Sequence, residues 1–221
     1  MHSKIAFAAL IALAGLAQAA PVSINQSFNA CALGGSCGAT VTFVTDGTAN
    51  SVNVRAGDDT IDGNGTDGFD NFFSSQFLAI GDDSGLISGE PNGQPDGGLS
   101  RASFSLGTLA AGDYRFFVGF DYVFDTNAGN GIQIQDDFLV RFETGTGTGA
   151  LVNVLSIGDV TTTSGVSNRR QVGFGNTVSF SLANAGNVNL SFSLQELNNQ
   201  GSSAVGIDNL SIQQVPEPAS L

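Results

Sequence analysis

The sequence has 221 residues, which is room for about one domain with short appendages. Charged residues make up only 12% of it, and 20 acidic against 7 basic residues give a formal net charge of -13. Beyond residue 19 the chain has no lysine and no histidine, which excludes Ser–His and Cys–His nucleophile pairs, Schiff-base lysines and histidine metal sites. Because no basic cluster is present, nucleic acid is not expected as a partner.

The N-terminus has the composition of a secretory signal peptide. Lys4 precedes an apolar run over residues 5–17, and Ala17 and Ala19 are the small residues of a cleavage site. The run is too short to span a membrane comfortably. We therefore expect residues 1–19 to be a signal peptide that is cleaved after Ala19, and the protein to be exported.

The chain has two cysteines, Cys31 and Cys37, separated by a short segment that contains two adjacent glycines. An even cysteine count in an exported chain indicates a disulfide. A bond across so short a loop would stabilise the fold by about 2 kcal/mol. Two thiols without a histidine make a metal site improbable, and a redox pair is usually spaced Cys-x-x-Cys.

The densest acidic stretch lies within residues 56–70 and could bind calcium. It resembles about one and a half repeats of an RTX calcium nonapeptide. The side chains that would supply oxygen ligands are Asp58, Asp59, Asp62, Asn64 and Asp67. An RTX roll needs stacked repeats, and no further copies follow. The alternative is a solvated Asn/Asp/Gly turn without metal.

Alternation of apolar and polar residues with a period of two predicts β-strands along the rest of the chain. In chain order these cover residues 41–44, 52–54, 103–106, 115–124, 138–142, 151–157, 178–182, 188–194 and 205–212. Turn-forming residues separate them. Residues 183–187 are interpreted as a hairpin loop, 81–98 as a long loop, and 71–80 as room for one helical turn. The pattern predicts an all-β fold, an antiparallel β-sandwich or jelly roll, in one domain over residues 20–213.

The C-terminal segment over residues 214–221 contains Pro216, Glu217 and Pro218. The sequence Val-Pro-Glu-Pro-Ala-Ser-Leu resembles the opening of the PEP-CTERM sorting signal of Gram-negative bacteria. In that family an apolar stretch and a basic cluster follow the motif, and exosortase-type enzymes process it. Here both are missing after Leu221, which indicates a truncated sequence or a lost anchor. The resemblance implies a protein of the cell surface or extracellular matrix, associated with exopolysaccharide or with other surface proteins.

Asp208 lies in the last predicted strand, in a segment that resembles the final strand of a recurrent PEP-CTERM ectodomain of jelly-roll appearance. In jelly rolls of this appearance an Asp at this point often coordinates a structural calcium ion, so the resemblance implies a second calcium site. Alternation sends Ile207 and Asp208 to opposite faces, so Asp208 could equally be a polar surface residue or a turn cap.

Catalysis is not expected. Glutamates are few, and Glu143 alternates with Arg141, as a solvent-facing residue does. No acid/base carboxylate pair is marked. Tryptophan is absent, and the clustered Phe69, Phe72, Phe73 and Phe77 are interpreted as core residues in preference to an exposed sugar-binding platform.

The sequence therefore predicts a non-catalytic exported β-sandwich protein associated with exopolysaccharide at the cell surface. A calcium-dependent carbohydrate-binding module is the main alternative, and a glycan-degrading enzyme the remote one. Structural Ca²⁺ is the single cofactor that the sequence suggests.

Overall fold

A computed structural model describes residues 21–33, 41–47, 52–56, 72–82, 98–127, 136–145, 149–158, 170–196 and 202–216. Within these ranges the regular structure is entirely β. The strands are β1 (Ser23–Gln26), β2 (Val41–Gly47), β3 (Val52–Arg55), β4 (Phe77–Asp82), β5 (Gly98–Leu109), β6 (Gly112–Asn127), β7 (Asp137–Thr144), β8 (Gly149–Ile157), β9 (Arg170–Leu182), β10 (Gly186–Glu196) and β11 (Ser202–Gln214). None of the described residues forms a helix long and apolar enough to cross a membrane.

The strands form two antiparallel sheets that pack face to face. One sheet has the order β3-β4-β11-β6-β9, with β1 also paired to β11, and the other has the order β2-β5-β10-β7-β8. From β4 to β11 the chain changes sheet at every step except the β7–β8 hairpin. The quartets β4-β11-β6-β9 and β5-β10-β7-β8 therefore have the connectivity of a jelly roll, which confirms the predicted fold class.

All nine predicted strands are present, and two more were missed. The strand β1 is short and polar, so it lacks an apolar pattern. The strand β4 is buried on both faces, and its continuous apolar run gives no alternation. The helical turn expected over residues 71–80 is therefore wrong, because β4 occupies its second half. The hairpin expected at 183–187 is also wrong, because this turn joins β9 and β10, which belong to different sheets.

The core between the sheets is built on phenylalanines from the central strand β6. Phe116, Phe120 and Phe124 are spaced by four residues and point to the same face. Each meets a phenylalanine of the opposite sheet at a ring-centroid distance of 5.0–5.3 Å, the partners being Phe142, Phe192 and Phe138. All six rings are buried, and they link the two sheets through the centre of the core.

A smaller apolar cluster covers the outer face of the six-stranded sheet. Its buried members are Phe73, Phe77, Ala79, Val123 and Ala204. Phe73 stacks on Phe77 at 4.6 Å. The segment before β4 thus folds over the sheet, and Phe73 and Phe77 are core residues as predicted, whereas Phe69 lies outside the described residues.

We expect Phe120→Ala to lower the free energy of unfolding by about 3–5 kcal/mol, because it leaves a cavity between the sheets. Chemical denaturation of the protein measures this. Phe117→Ala is the matched control, since Phe117 lies on the same strand with 37% of its surface exposed; it should cost less than about 2 kcal/mol. Equal losses for both variants would contradict this account of the core.

Candidate functional site

The sequence-predicted site residues divide between the described and undescribed parts of the chain. The five ligands proposed in the acidic stretch, Asp58, Asp59, Asp62, Asn64 and Asp67, lie outside the described residues, as do Cys37, Glu217 and Pro218. Cys31, Asp208 and Pro216 are described. Among the described residues no group of three or more His, Cys, Asp or Glu side chains could hold a metal ion.

Asp208 lies on the outer face of the six-stranded sheet, on the side opposite Ile207, as alternation predicts. Its side chain is nevertheless buried, with 3% of its surface exposed. One carboxylate oxygen accepts a hydrogen bond from the Asn209 amide at 2.7 Å, and the other accepts from the Ser75 hydroxyl at 3.3 Å. The segment that carries Phe73 and Ser75 therefore covers Asp208 from outside.

Asp121 faces Asp208 across the β6–β11 pair. Its two oxygens accept hydrogen bonds from the amide of Gly173 at 2.5 Å and from the side-chain amide of Asn209 at 2.8 Å. Both donors lie in β-bulges, one on β9 and one on β11, and both have positive φ values of 68° and 53°. Asp121 thus fixes a left-handed bulge residue on each neighbouring strand.

The electrostatics of Asp208 follow from its burial. Burial raises the pKa of Asp208 above its ordinary value of 3.8, the hydrogen bonds from Asn209 and Ser75 oppose the rise, and the charge of Asp121 adds to it. All four carboxylate oxygens accept hydrogen bonds within the fold. This arrangement is that of a structural clamp on the two bulges.

The outer face of the five-stranded sheet carries a buried polar group that the sequence did not reveal. We call it the polar face and define it by Arg101 and Ser103 of β5, Arg141 and Glu143 of β7, and Ser191 and Ser193 of β10. Each alternates with core residues of its strand. Ser191 lies opposite both Ser103 and Arg141 in the strand pairing.

Glu143 corrects one expectation from the sequence. It was expected to face solvent, but none of its side-chain surface is exposed. Its carboxylate accepts a hydrogen bond from the Nε of Arg141 at 2.9 Å, and the two groups form an ion pair. The charge of Arg141 is therefore balanced within the face.

Three other groups on the polar face have no such balance. The Nε of Arg101 and the hydroxyls of Ser103 and Ser191 are shielded from solvent and have no hydrogen-bond partner in the part of the chain that the structure describes. The exposed fraction of the residue is 9% for Arg101, 2% for Ser103 and 1% for Ser191. Buried polar atoms in folded proteins nearly always have partners, so three neighbouring exceptions call for an explanation. Alternation placed them outward, but their burial depends on neighbours from three strands.

A cleft of about 650 Å³ lies at the β5–β6 turn, beside the end of β11. Tyr114 and Pro216 both line it. The Tyr114 hydroxyl donates to the carbonyl of Ala110 at 2.9 Å, and Asp113 accepts from Ser181 at 2.5 Å. Since these groups are already engaged within the fold, the cleft has a weaker claim to a ligand than the polar face.

Sequence similarity does not assign the chain to a family. No family model matches the sequence, and no curated protein is significantly similar to it. Solved structures similar to this chain include an MgGH51 α-L-arabinofuranosidase, at 10% identity and a TM-score of 0.49. The match covers 88% of this chain and 26% of that one. The K1 cleaved adhesin domain of Lys-gingipain from Porphyromonas gingivalis is similar at 11% identity and a TM-score of 0.47. The match covers 86% of this chain and 96% of that one. The CBM22-1 xylan-binding domain of Paenibacillus barcinonensis Xyn10C is similar at 13% identity and a TM-score of 0.39. The match covers 90% of this chain and 97% of that one. These likenesses are too distant to add to what the strand order shows.

We expect Asp208→Asn to leave stability unchanged or raise it at pH 7.5, because Asn keeps the acceptor for the Asn209 amide without a buried charge. Since the folded-state pKa of Asp208 is raised, the folded wild type binds more protons than the unfolded chain just above 3.8. Wild-type stability should therefore rise as pH falls through that window, and the advantage of the variant should shrink. Melting temperatures across pH 4–8 measure this.

Asp113→Asn is the matched control, because it makes the same change in net charge at an exposed position of β6. It corrects for relief of the general repulsion in a chain of charge -13. A loss of more than about 1 kcal/mol in Asp208→Asn at pH 7.5 would contradict the clamp and indicate that the ionised carboxylate is required, as a bound cation would require it.

Proposed function

We propose that this chain is a non-catalytic exported protein of the cell surface or extracellular matrix, which associates with exopolysaccharide through the polar face. The observation that carries the proposal is the set of three buried, unpartnered polar groups on Arg101, Ser103 and Ser191. Export follows from the predicted signal peptide over residues 1–19 and from the likeness of the C-terminus to a sorting signal.

The unpartnered groups cost free energy in the free protein, and a bound glycan would remove that cost. A buried polar group without a partner costs about 1–3 kcal/mol. Apolar residues at Ser103 and Ser191 would avoid that cost on a face that served only the fold. A glycan supplies hydroxyl groups that both donate and accept, so each serine hydroxyl and the Arg101 Nε would gain a partner on binding.

The mode of binding follows from the residues present. The face has serine, arginine and glutamate groups, and the chain has no tryptophan for sugar stacking. Recognition would therefore rest on hydrogen bonds, with modest affinity per site, and repeated units of a polymer would raise the apparent affinity. The atoms are shielded, so a ligand must shift neighbouring side chains, of which the arginine stems are the long and flexible ones.

The absence of catalysis is part of the proposal, and the described carboxylates support it. Asp121 and Asp208 accept hydrogen bonds from the bulges, and Glu143 is held by Arg141. None of these three is free to act as an acid or base on a sugar. An enzyme would be recognised by release of reducing ends from exopolysaccharide and by its loss on changing one carboxylate.

Pro216, the first residue of the predicted sorting motif, is exposed directly after β11. The chain is held up to this point by hydrogen bonds from Gln214 to Val22 and from Val215 to Arg115, each 2.8 Å. The motif thus begins directly after the last strand, which suits recognition by an exosortase-type processing enzyme.

We expect Ser103→Ala and Ser191→Ala to weaken binding to exopolysaccharide extracted from the source bacterium while leaving the free protein as stable as wild type or more so. The reason is that each removes an unpartnered hydroxyl in the free state and a hydrogen bond in the complex. Co-sedimentation and thermal melts of the same preparations measure the two effects. The control is Ser179→Ala, an exposed serine on the other sheet, which should change neither.

Absence of saturable binding by the wild type would contradict the proposed function. Binding with unchanged affinity in both serine variants would refute the polar face as its site. Each assay is run in calcium and in EDTA, and loss of binding in EDTA would favour the calcium-dependent carbohydrate-binding alternative.

Export and the predicted disulfide are tested by mass spectrometry of the protein recovered outside the cytoplasm. We expect the mature N-terminus at Ala20, and Cys31 and Cys37 should resist alkylation until they are reduced. Cys31 is buried next to the Gln26 side chain, which donates to its sulfur at 3.2 Å, and no free thiol occurs among the described residues. Retention of the leader or two reactive thiols would contradict these expectations.

A further inference from the structure

The polar face contains two arginines, and their charges are balanced differently. Arg141 pairs with Glu143, whose carboxylate lies 2.9 Å from its Nε. Within the described residues, the Nε of Arg101 has no hydrogen-bond partner and no acidic side chain forms an ion pair with it. A guanidinium stays charged at every physiological pH, so the face carries one unbalanced positive charge.

That charge is unusual for its position in this protein. Arg101 is more than nine-tenths buried, and buried charges are normally paired. The whole chain has 7 basic residues against 20 acidic ones, so an acidic partner for Arg101 would be easy to provide. A negatively charged ligand would therefore supply the counter-charge that Arg101 lacks on this face.

The chemistry of the unpartnered atoms indicates which groups the ligand carries. The Nε and the adjacent terminal nitrogen of a guanidinium form a fork that matches the two oxygens of a carboxylate. Ser103 lies two residues along the same face of β5, and Ser191 lies beside it on β10. One carboxylate and two hydroxyls presented together are the groups that a uronic acid residue carries.

We propose that the polar face recognises a carboxylated glycan, with Arg101 binding the uronate carboxylate and Ser103 and Ser191 binding ring hydroxyls. This inference rests on the proposed function and names its ligand class. At about 0.15 M salt the Debye length is about 8 Å, so the contact with Arg101 survives while the repulsion between a polyanion and an acidic protein is largely screened.

The test compares exopolysaccharide from the source bacterium with the same material after chemical reduction of its carboxyl groups, in 0.15 M salt. Reduction converts each uronate to a neutral sugar and leaves the linkages intact. We expect wild-type affinity to fall at least about tenfold on reduction, and Arg101→Gln to bind both polymers as weakly as wild type binds the reduced one.

Two further variants make the test specific. Arg115→Gln removes the same charge from an exposed position on the opposite sheet and should bind like wild type. Arg101→Lys keeps the charge without the fork and should lose part of the preference for the carboxylated polymer. Melting temperatures identify a folding defect in either Arg101 variant, and a folded Arg101→Lys alone suffices, since an undiminished preference in it would overturn the role of the fork.

The outcomes separate this inference from the proposed function. Equal wild-type affinity for native and reduced polymer, or saturable binding to an exopolysaccharide that contains no uronate, would overturn the carboxylate proposal and leave glycan binding standing. Equal weakening by Arg115→Gln would also overturn it, because general electrostatics would then suffice. No binding to either polymer would refute the proposed function itself.

Discussion

The fold depends on the contact between strand β6 and the opposite sheet. Phe116, Phe120 and Phe124 project from the centre of one sheet at four-residue intervals, and each is met by a ring of the other at 5.0–5.3 Å. Aromatic rings bury large areas and prefer edge-to-face or tilted contacts, which fix the spacing and register of the two sheets. Burial of these rings is a large apolar contribution to the stability of a chain in which only 12% of residues are charged.

The outer faces of the two sheets use polar groups in opposite ways. On the six-stranded sheet Asp121 and Asp208 are satisfied by donors from the bulges and from Ser75, so their groups belong to the architecture. On the five-stranded sheet the Nε of Arg101 and the hydroxyls of Ser103 and Ser191 are buried and have no hydrogen-bond partner among the described residues. Asp208 and the three unpartnered groups are all buried. The presence or absence of partners among the described residues therefore distinguishes a structural group from a candidate binding group.

Much of the fold could be predicted from the sequence, because alternation reports a strand whose faces differ. The strand β6 was found because large apolar residues recur at every second position from Phe116 to Phe124, whereas β4 was missed because its apolar run is continuous and both its faces are buried. The arrangement of the candidate site could not be predicted in the same way. Alternation placed Asp208 on the outer face correctly, but its burial depends on the segment that carries Ser75, and its pairing with Asp121 depends on strand order. The unpartnered state of Arg101 likewise depends on the neighbours that β7 and β10 bring beside it.

Hydrogen–deuterium exchange of the protein, with and without saturating exopolysaccharide, shows whether the polar face is the binding surface. We expect slower exchange in peptides from β5, β7 and β10 on binding, since these strands carry the polar face. Protection confined to the β5–β6 turn and the end of β11 would place the ligand in the cleft instead and contradict the account.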